Sequence, residues 1–201
     1  MRATQQGRKP PGKAKRRILT AAARLFRKQG FDRTSVRELA DAVGILSGSL
    51  FHHFRSKDDI LFAVMEEVIV AMDAALAEAL ETATTTEDRL RALIHTELEF
   101  IHGEQSDATT VLVYEWHALS REGQTLLMEL RNRYFARWQE VLDAALSCGL
   151  VLVEPVALRQ LIHGATVWTA HWYRTDGPMS LAELENALLT LLLNKNYQPK
   201  L

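Results

Sequence analysis

His95, Glu97, Glu99 and His102 are the first side chains to test for chemistry, because histidine and carboxylate close together can hold a metal. A zinc helix of the His-Glu-x-x-His kind needs its two histidines one turn apart. His95 and His102 are not such a pair, so the group reads as helix surface or pocket edge and no metal is expected. No Gly-rich loop cradles a phosphate and no nucleophile elbow occurs. No catalytic residue, no cofactor and no enzyme activity is therefore expected. Two other chemistries remain. Ser47, Gly48 and Ser49 suit recognition of base edges: the glycine permits close approach, and serine hydroxyls donate or accept. The aromatics Phe100, Tyr114, Trp116, Tyr134, Phe135, Trp138, Trp168, Trp172 and Tyr173 suit either a core or a pocket. With Glu97, His117, Arg137, His163 and His171 they could line an apolar pocket with sparse polar handles. His163, Val167, His171 and Arg174 recur on one side of a helix, and Trp168 and Trp172 on another. One side is expected to face a pocket and the other a partner subunit.

The base-edge residues need a helix that can enter a groove. Val36, Leu39, Ala40 and Val43 fall at helical spacing, which buries one face of a short helix. Ser35 and Glu38 fit a capping box, with Thr34 as an alternative cap. Gly44 suits the left-handed position that ends a helix. A second helix of about two turns follows from near Ser47 and buries Leu50 and Phe54. Helix, tight turn and helix make a helix-turn-helix, whose second helix enters the major groove.

The flanks add a pattern: Gly30-Phe31, Thr34, Leu39-Ala40, Val43-Gly44-Ile45, Leu50-Phe51-His52-His53-Phe54 and Ser56-Lys57-Asp58. This stretch resembles the signature of TetR-family transcriptional repressors over roughly residues 14–65. Leu46 and Ser47 stand where that family usually has a small polar residue and then often a basic one. Phe51 stands where it usually has Tyr. The resemblance implies DNA contacts from Thr34, Ser35, Ser47, Gly48, Ser49, Phe51, His52, His53 and Lys57, with His52, His53 and Lys57 at phosphates or the groove edge. It further implies a homodimer on a palindromic operator. The run from Trp172 to Ser180 resembles the C-terminal part of TetR-type regulators of fatty-acid or sterol catabolism, which answer to acyl-CoA thioesters. That ranks an acyl-CoA first among effectors. The expected ligand set is Glu97, Tyr114, His117, Tyr134, Trp138, His163, Val167 and His171.

Charge is distributed unevenly. Residues 1–57 hold 14 Lys and Arg against 3 Asp and Glu, while the remainder holds 10 against 22. Only the N-terminal part is expected to meet a polyanion. Residues 1–12 read as a flexible basic arm, either solvated or touching phosphate or minor groove. Residues 13–57 form the helix-turn-helix domain, and 58–201 a ligand-binding and dimerisation domain. Cys148 is the only cysteine, which excludes an intrachain disulfide and fits a reducing cytoplasm. Glu66, Glu67 and Asp73 interrupt the longest apolar candidate, so no membrane span is expected.

Hydrophobic residues make up 47% of the chain, enough for a substantial core. The pattern predicts an all-α fold of about nine helices. One long helix runs from about Ser56 to Ala79 with a wide apolar face, and is expected to link the DNA-binding unit to the body. Thr84 and Glu87 offer a capping box. Residues 111–116 are strand-like in propensity but read as a buried helix in this context. Gly123 marks a break before a helix from about Gln124 to Ser147, ended by Gly149. Pro155 opens a helix to about Thr175. Ser180 and Glu183 cap a last helix with a leucine seam at Leu181, Leu184, Leu188, Leu191 and Leu192. The last two helices of each subunit are expected to pair as a four-helix bundle. A helical carrier or enzyme with a basic N-terminus, and a nonspecific architectural DNA binder, are the alternatives this pattern leaves open.

Overall fold

The computed structural model describes residues 12–196. The expected basic arm lies, apart from Gly12, outside the described residues. Among those residues the chain forms nine α-helices and no strand. They are α1 (Lys13–Gln29), α2 (Val36–Val43), α3 (Ser47–Leu50), α4 (Lys57–Thr82), α5 (Thr86–His102), α6 (Ser106–Tyr114), α7 (Arg121–Ser147), α8 (Pro155–Trp168) and α9 (Leu181–Leu192). Short 3-10 turns at Trp116–Ala118 and Thr169–His171 follow α6 and α8. No helix among the described residues is long and apolar enough to cross a membrane.

Two apolar cores share one spine. Ile18, Ala22 and Phe26 of α1, Leu39 and Ala40 of α2, Leu50, and Phe54 pack on Ile60, Leu61 and Val64 of α4. Further along α4, Val68, Met72 and Leu76 pack with residues of α5, α7, α8 and α9. Its wide apolar stripe is what lets one helix serve both cores. Helix α6 also reaches across, with Val111 in the first core and Leu112 against both. Arg27 of α1 pairs with Asp107 of α6 at 2.7 Å.

The helix-turn-helix is held by local chemistry. Ser35 Oγ accepts from the Glu38 N–H at 3.2 Å, and the Glu38 carboxylate accepts from the Ser35 N–H at 2.8 Å. Such a reciprocal cap contributes about 1 kcal/mol. Gly44 adopts φ 70°, where a side chain would strain the backbone. Arg17 of α1 donates to the carbonyl of Val43 at 3.1 Å and ties down the end of α2.

Several boundaries differ from expectation. Helix α3 is one turn, because the His52 and His53 N–H groups bond three residues back, to Ser49 and Leu50. The chain tightens there, so both histidines sit in the turn after α3 while Phe54 still reaches the core. The cap of α5 is Thr85 with Asp88, one residue later than expected. Gly123 does not break α7; it lies inside the first turn, and its N–H donates to the capping Ser120 Oγ. A Cβ there would come within 3.3 Å of Ser120 Oγ and 3.4 Å of Phe62, so the helix start packs closely at this position. Helix α6 forms where expected but buries only Thr109 and Val111. Helix α8 stops at Trp168, since the Trp172 and Tyr173 N–H groups both turn back to the Thr169 carbonyl.

Candidate functional site

Two sites stand on this frame, one beside the N-terminal end of α4 and one against its middle. At the first, α3 presents an N-terminal face in which Gly48 is exposed and Ser47 and Ser49 are half-buried. Leu46, Phe51, His52 and His53 surround it, all exposed; Phe51 shows 50% of its surface. The side chain of Ser35 is also exposed at the start of α2. Basic residues Lys13, Arg16, Arg17, Arg24 and Lys28 line an open groove along α1 nearby. Short polar side chains flanked by exposed aromatics and positive charge match a surface that docks on a duplex.

The second site is a cavity of about 380 Å³ between α4, α5, α6, α7 and α8. Small-molecule sites span roughly 300–1,000 Å³, so this one suits a small ligand or part of a larger one. Ile69 and Met72 of α4 and Leu112 and Val113 of α6 supply apolar wall. Glu97, 1% exposed, is the polar centre. Its carboxylate accepts from the Thr166 hydroxyl at 2.6 Å, from His163 Nδ1 at 3.0 Å and from the Tyr134 hydroxyl at 3.5 Å. Burial alone would lower the pKa of His163; the hydrogen bond to Glu97 and its negative charge together outweigh that and hold it above the ordinary imidazole value. Burial first, and the charge of Glu97 second, push the Tyr134 hydroxyl well above the ordinary phenol value. With Nδ1 committed to Glu97, His163 keeps Nε2 for a ligand.

Two family descriptions match this chain. "Bacterial regulatory proteins, tetR family" covers residues 18–64, and "Tetracyclin repressor-like, C-terminal domain" covers residues 83–195, more than half of the chain. The chain belongs to the TetR family. It is thus a DNA-binding transcriptional regulator built as a helix-turn-helix unit on a helical C-terminal body. The HTH-type transcriptional repressor KstR2 of Rhodococcus jostii (strain RHA1) is 34% identical over 94% of both chains. Among solved structures, the superantigen PfiT superposes with a TM-score of 0.79 at 45% identity, over 94% of this chain and 100% of that one. AibR in complex with isovaleryl coenzyme A and operator DNA superposes with a TM-score of 0.82 at 23% identity, over 90% and 98% of the two chains.

On this TetR frame the expected DNA-contact residues divide. Ser35, Gly48, Phe51, His52 and His53 are exposed, with Ser47 and Ser49 beside them. Thr34 is buried, and its hydroxyl donates to the Gly30 carbonyl at 2.8 Å. The Lys57 ammonium lies 2.8, 3.4 and 3.0 Å from the carbonyls of Phe31, Asp32 and Thr34 and 4.2 Å from the centre of the Phe31 ring. Its three donors are taken up inside the fold, so in this conformation it braces the loop before α2.

The expected ligand residues divide as well. Glu97, Tyr134, His163 and Val167 line the cavity together. Trp138 is one turn beyond Tyr134 on α7 and lies wholly inside the second core. His117 is exposed on the 3-10 turn after α6. His171 is carried outward by the 3-10 turn after α8, stacks on Trp168 at 4.4 Å and meets the Tyr114 hydroxyl at 3.4 Å. These four do not line the cavity. Trp116 and Phe135, of the aromatic group suited to a pocket, do line it, and so does Arg131, which was not expected; its spacing of one helical turn from Phe135 was the available signal. The other members of the suspected metal group point apart: His95 to Glu185 at 2.8 Å and His102 to Thr169 at 2.7 Å.

Proposed function

We propose that this protein is a homodimeric repressor that leaves a palindromic operator when an acyl-CoA thioester places its acyl group in the cavity. Residues 13–57 form the DNA-binding unit, and 58–201 bind effector and partner, in the cytoplasm. The observation that carries the reading is the sharing of α4 and α6. Both supply cavity wall, and both pack on the helices of the DNA-binding unit. A ligand that prefers a wider cavity therefore biases the separation of two recognition helices, which a palindrome needs at about 34–36 Å or a little more. Glu97 and His163 give the apolar chamber its polar handle. The chamber holds an acyl group and leaves the charged nucleotide outside. What AibR and the KstR2 repressor are named for supports the same ligand class and role.

The test is release. Protein bound to fluorescent DNA from the region upstream of its own coding sequence should dissociate on addition of octanoyl-CoA or a longer thioester, and stay bound with free CoA. Dissociation by a cationic drug and by no thioester would sink the ligand class and leave the repressor standing.

Phe51 offers a separate check at the other site. Its ring is half exposed beside α3 but lacks a hydroxyl. Phe51→Tyr should add one phosphate hydrogen bond, about 1 kcal/mol or a several-fold gain in affinity. The gain should be equal on operator and random DNA, because phosphate contacts do not read sequence. Paired titrations decide it; a gain on the operator alone would put Phe51 against a base. The neighbouring Leu46 is exposed, and its side chain would suit an apolar contact with a thymine methyl.

A further inference from the structure

Arg131 of α7 and Arg159 of α8 are held in an unusual way. The Arg131 guanidinium lies over the Trp116 ring at 4.7 Å and over Phe135 at 5.7 Å. The Arg159 guanidinium lies over Phe135 at 4.6 Å. Phe135 and Trp116 both line the cavity. Stacking uses the flat face of a guanidinium and leaves its N–H edge free. Among the described residues neither arginine donates a hydrogen bond to a protein group or pairs with a carboxylate, and Arg159 Nε is buried without a partner. Arg89, Arg121 and Arg133 of the body are exposed to solvent, and two half-buried arginines take a carboxylate instead. Arg91 reaches Glu185 and Arg137 reaches Asp73, each at 2.8 Å. The acid nearest in the cavity, Glu97, already accepts from His163, Thr166 and Tyr134.

Two half-buried cations next to one phenyl ring repel each other. Burial, and then the charge of Arg159, hold Arg131 below the ordinary arginine value. His163 packs edge-on against the same ring at 5.7 Å, and both arginines act on it as like charges. Three basic groups thus converge on Phe135, and the one carboxylate in the cavity lining, Glu97, serves the histidine. An oxyanion is the group that would engage the free N–H edges and relieve the repulsion, and a guanidinium pair matches its geometry.

We propose that Arg131 and Arg159 form a fork at the cavity that binds the oxyanion of the effector, a phosphate or a carboxylate. This rests on the effector reading above for the apolar part of the ligand. It adds a requirement: an uncharged molecule with the same chain binds poorly. Charge-assisted bonds to a guanidinium make a difference of about tenfold or more in affinity.

Calorimetric titrations of the full chain with octanoyl-CoA, octanoate, methyl octanoate and inorganic pyrophosphate test it. The proteins are wild type, the double variant Arg131→Gln/Arg159→Gln, and Arg131→Lys/Arg159→Lys. The Gln variant breaks no ion pair, so its thermal melt should match wild type; the Lys variant keeps the charge and should retain part of the binding. Wild type should prefer an anionic ligand over the methyl ester by about tenfold or more, and the Gln variant should lose that preference. Loss confined to octanoyl-CoA assigns the fork to phosphate, and loss confined to octanoate assigns it to carboxylate. Pyrophosphate needs the fork and not the chamber, so the drop in its binding from wild type to the Gln variant reads the fork alone. If no acyl compound binds but that drop remains, the effector reading fails and the fork stands. An ester as tight as the anions, or a Gln variant that binds octanoyl-CoA, octanoate and pyrophosphate all as tightly as wild type, overturns the fork.

Discussion

In the proposed homodimer, Leu161→Glu should leave the fold intact, separate the subunits and abolish operator binding. Leu161 is 64% exposed on α8, Trp168 on the same face is 63% exposed, and Leu191 on α9 is 81% exposed. Helices α8 and α9 both pack on α5 and turn these side chains outward. Large apolar residues grouped on one side of a protein mark an interaction surface. Burying each against a partner contributes about 1.5–3 kcal/mol, and a carboxylate set there would cost several kcal/mol. Loss of the second recognition helix removes the gain from two linked half-sites, about a hundredfold or more. Leu191→Arg should act the same way. The expected leucine seam is split by the fold: Leu184 is buried and Leu181, Leu188 and Leu192 pack on the protein's own core, which leaves only Leu191 of the seam outward. Leu188 therefore reports on folding, and Leu161 and Leu191 on assembly. Sedimentation and operator titration of Leu161→Glu decide the matter. A variant that still sediments as a dimer places the interface elsewhere.

Glu97→Ala should destabilise the protein by about 3 kcal/mol, because it strands buried donors that now share one acceptor. The Tyr134 hydroxyl and His163 Nδ1 would lose their carboxylate acceptor, while the Thr166 hydroxyl keeps the carbonyls of Ile162 and His163 at 3.1 and 3.0 Å. The His163 contact also sets a pH dependence. Its folded value lies above the ordinary 6.5. A raised histidine contributes stability that is fully present below 6.5 and is lost as pH rises through the folded value. His102, lowered by burial, acts in the other direction, as pH falls below 6.5. Measurements upward from 6.5 therefore isolate His163. Urea midpoints of wild type should fall across that range, and those of Glu97→Gln should fall less. A wild-type midpoint that rises or stays level there would show that Glu97 does not hold the imidazolium in solution.

What the amino-acid order decided alone is local. The Ser35–Glu38 cap, the left-handed Gly44 and the apolar spacing of α2 act within a few residues, so the helix-turn-helix and its TetR resemblance could be read directly. The same holds for the Ser180–Glu183 cap and the start of α8 at Pro155. Helix periodicity also put His163 and Val167 on one face, and both line the cavity. It could not say which neighbour each face meets. Trp138, one turn from Tyr134, looked equally suited to a pocket and fills the core instead. His171 kept helical register with His163 only on paper, because the backbone changes to a 3-10 turn at Thr169. Lys57 read as a phosphate contact and is drawn to three carbonyls more than twenty residues earlier. Arg131 and Arg159 were not among the expected ligand residues. Their convergence on Phe135 comes from α7 packing on the next helix, α8, a pairing of faces that helical spacing within either element does not set. Caps and turns are set by bonds between near neighbours, whereas a cavity is the space left when distant helices pack, and only the tertiary structure decides which side chains border it.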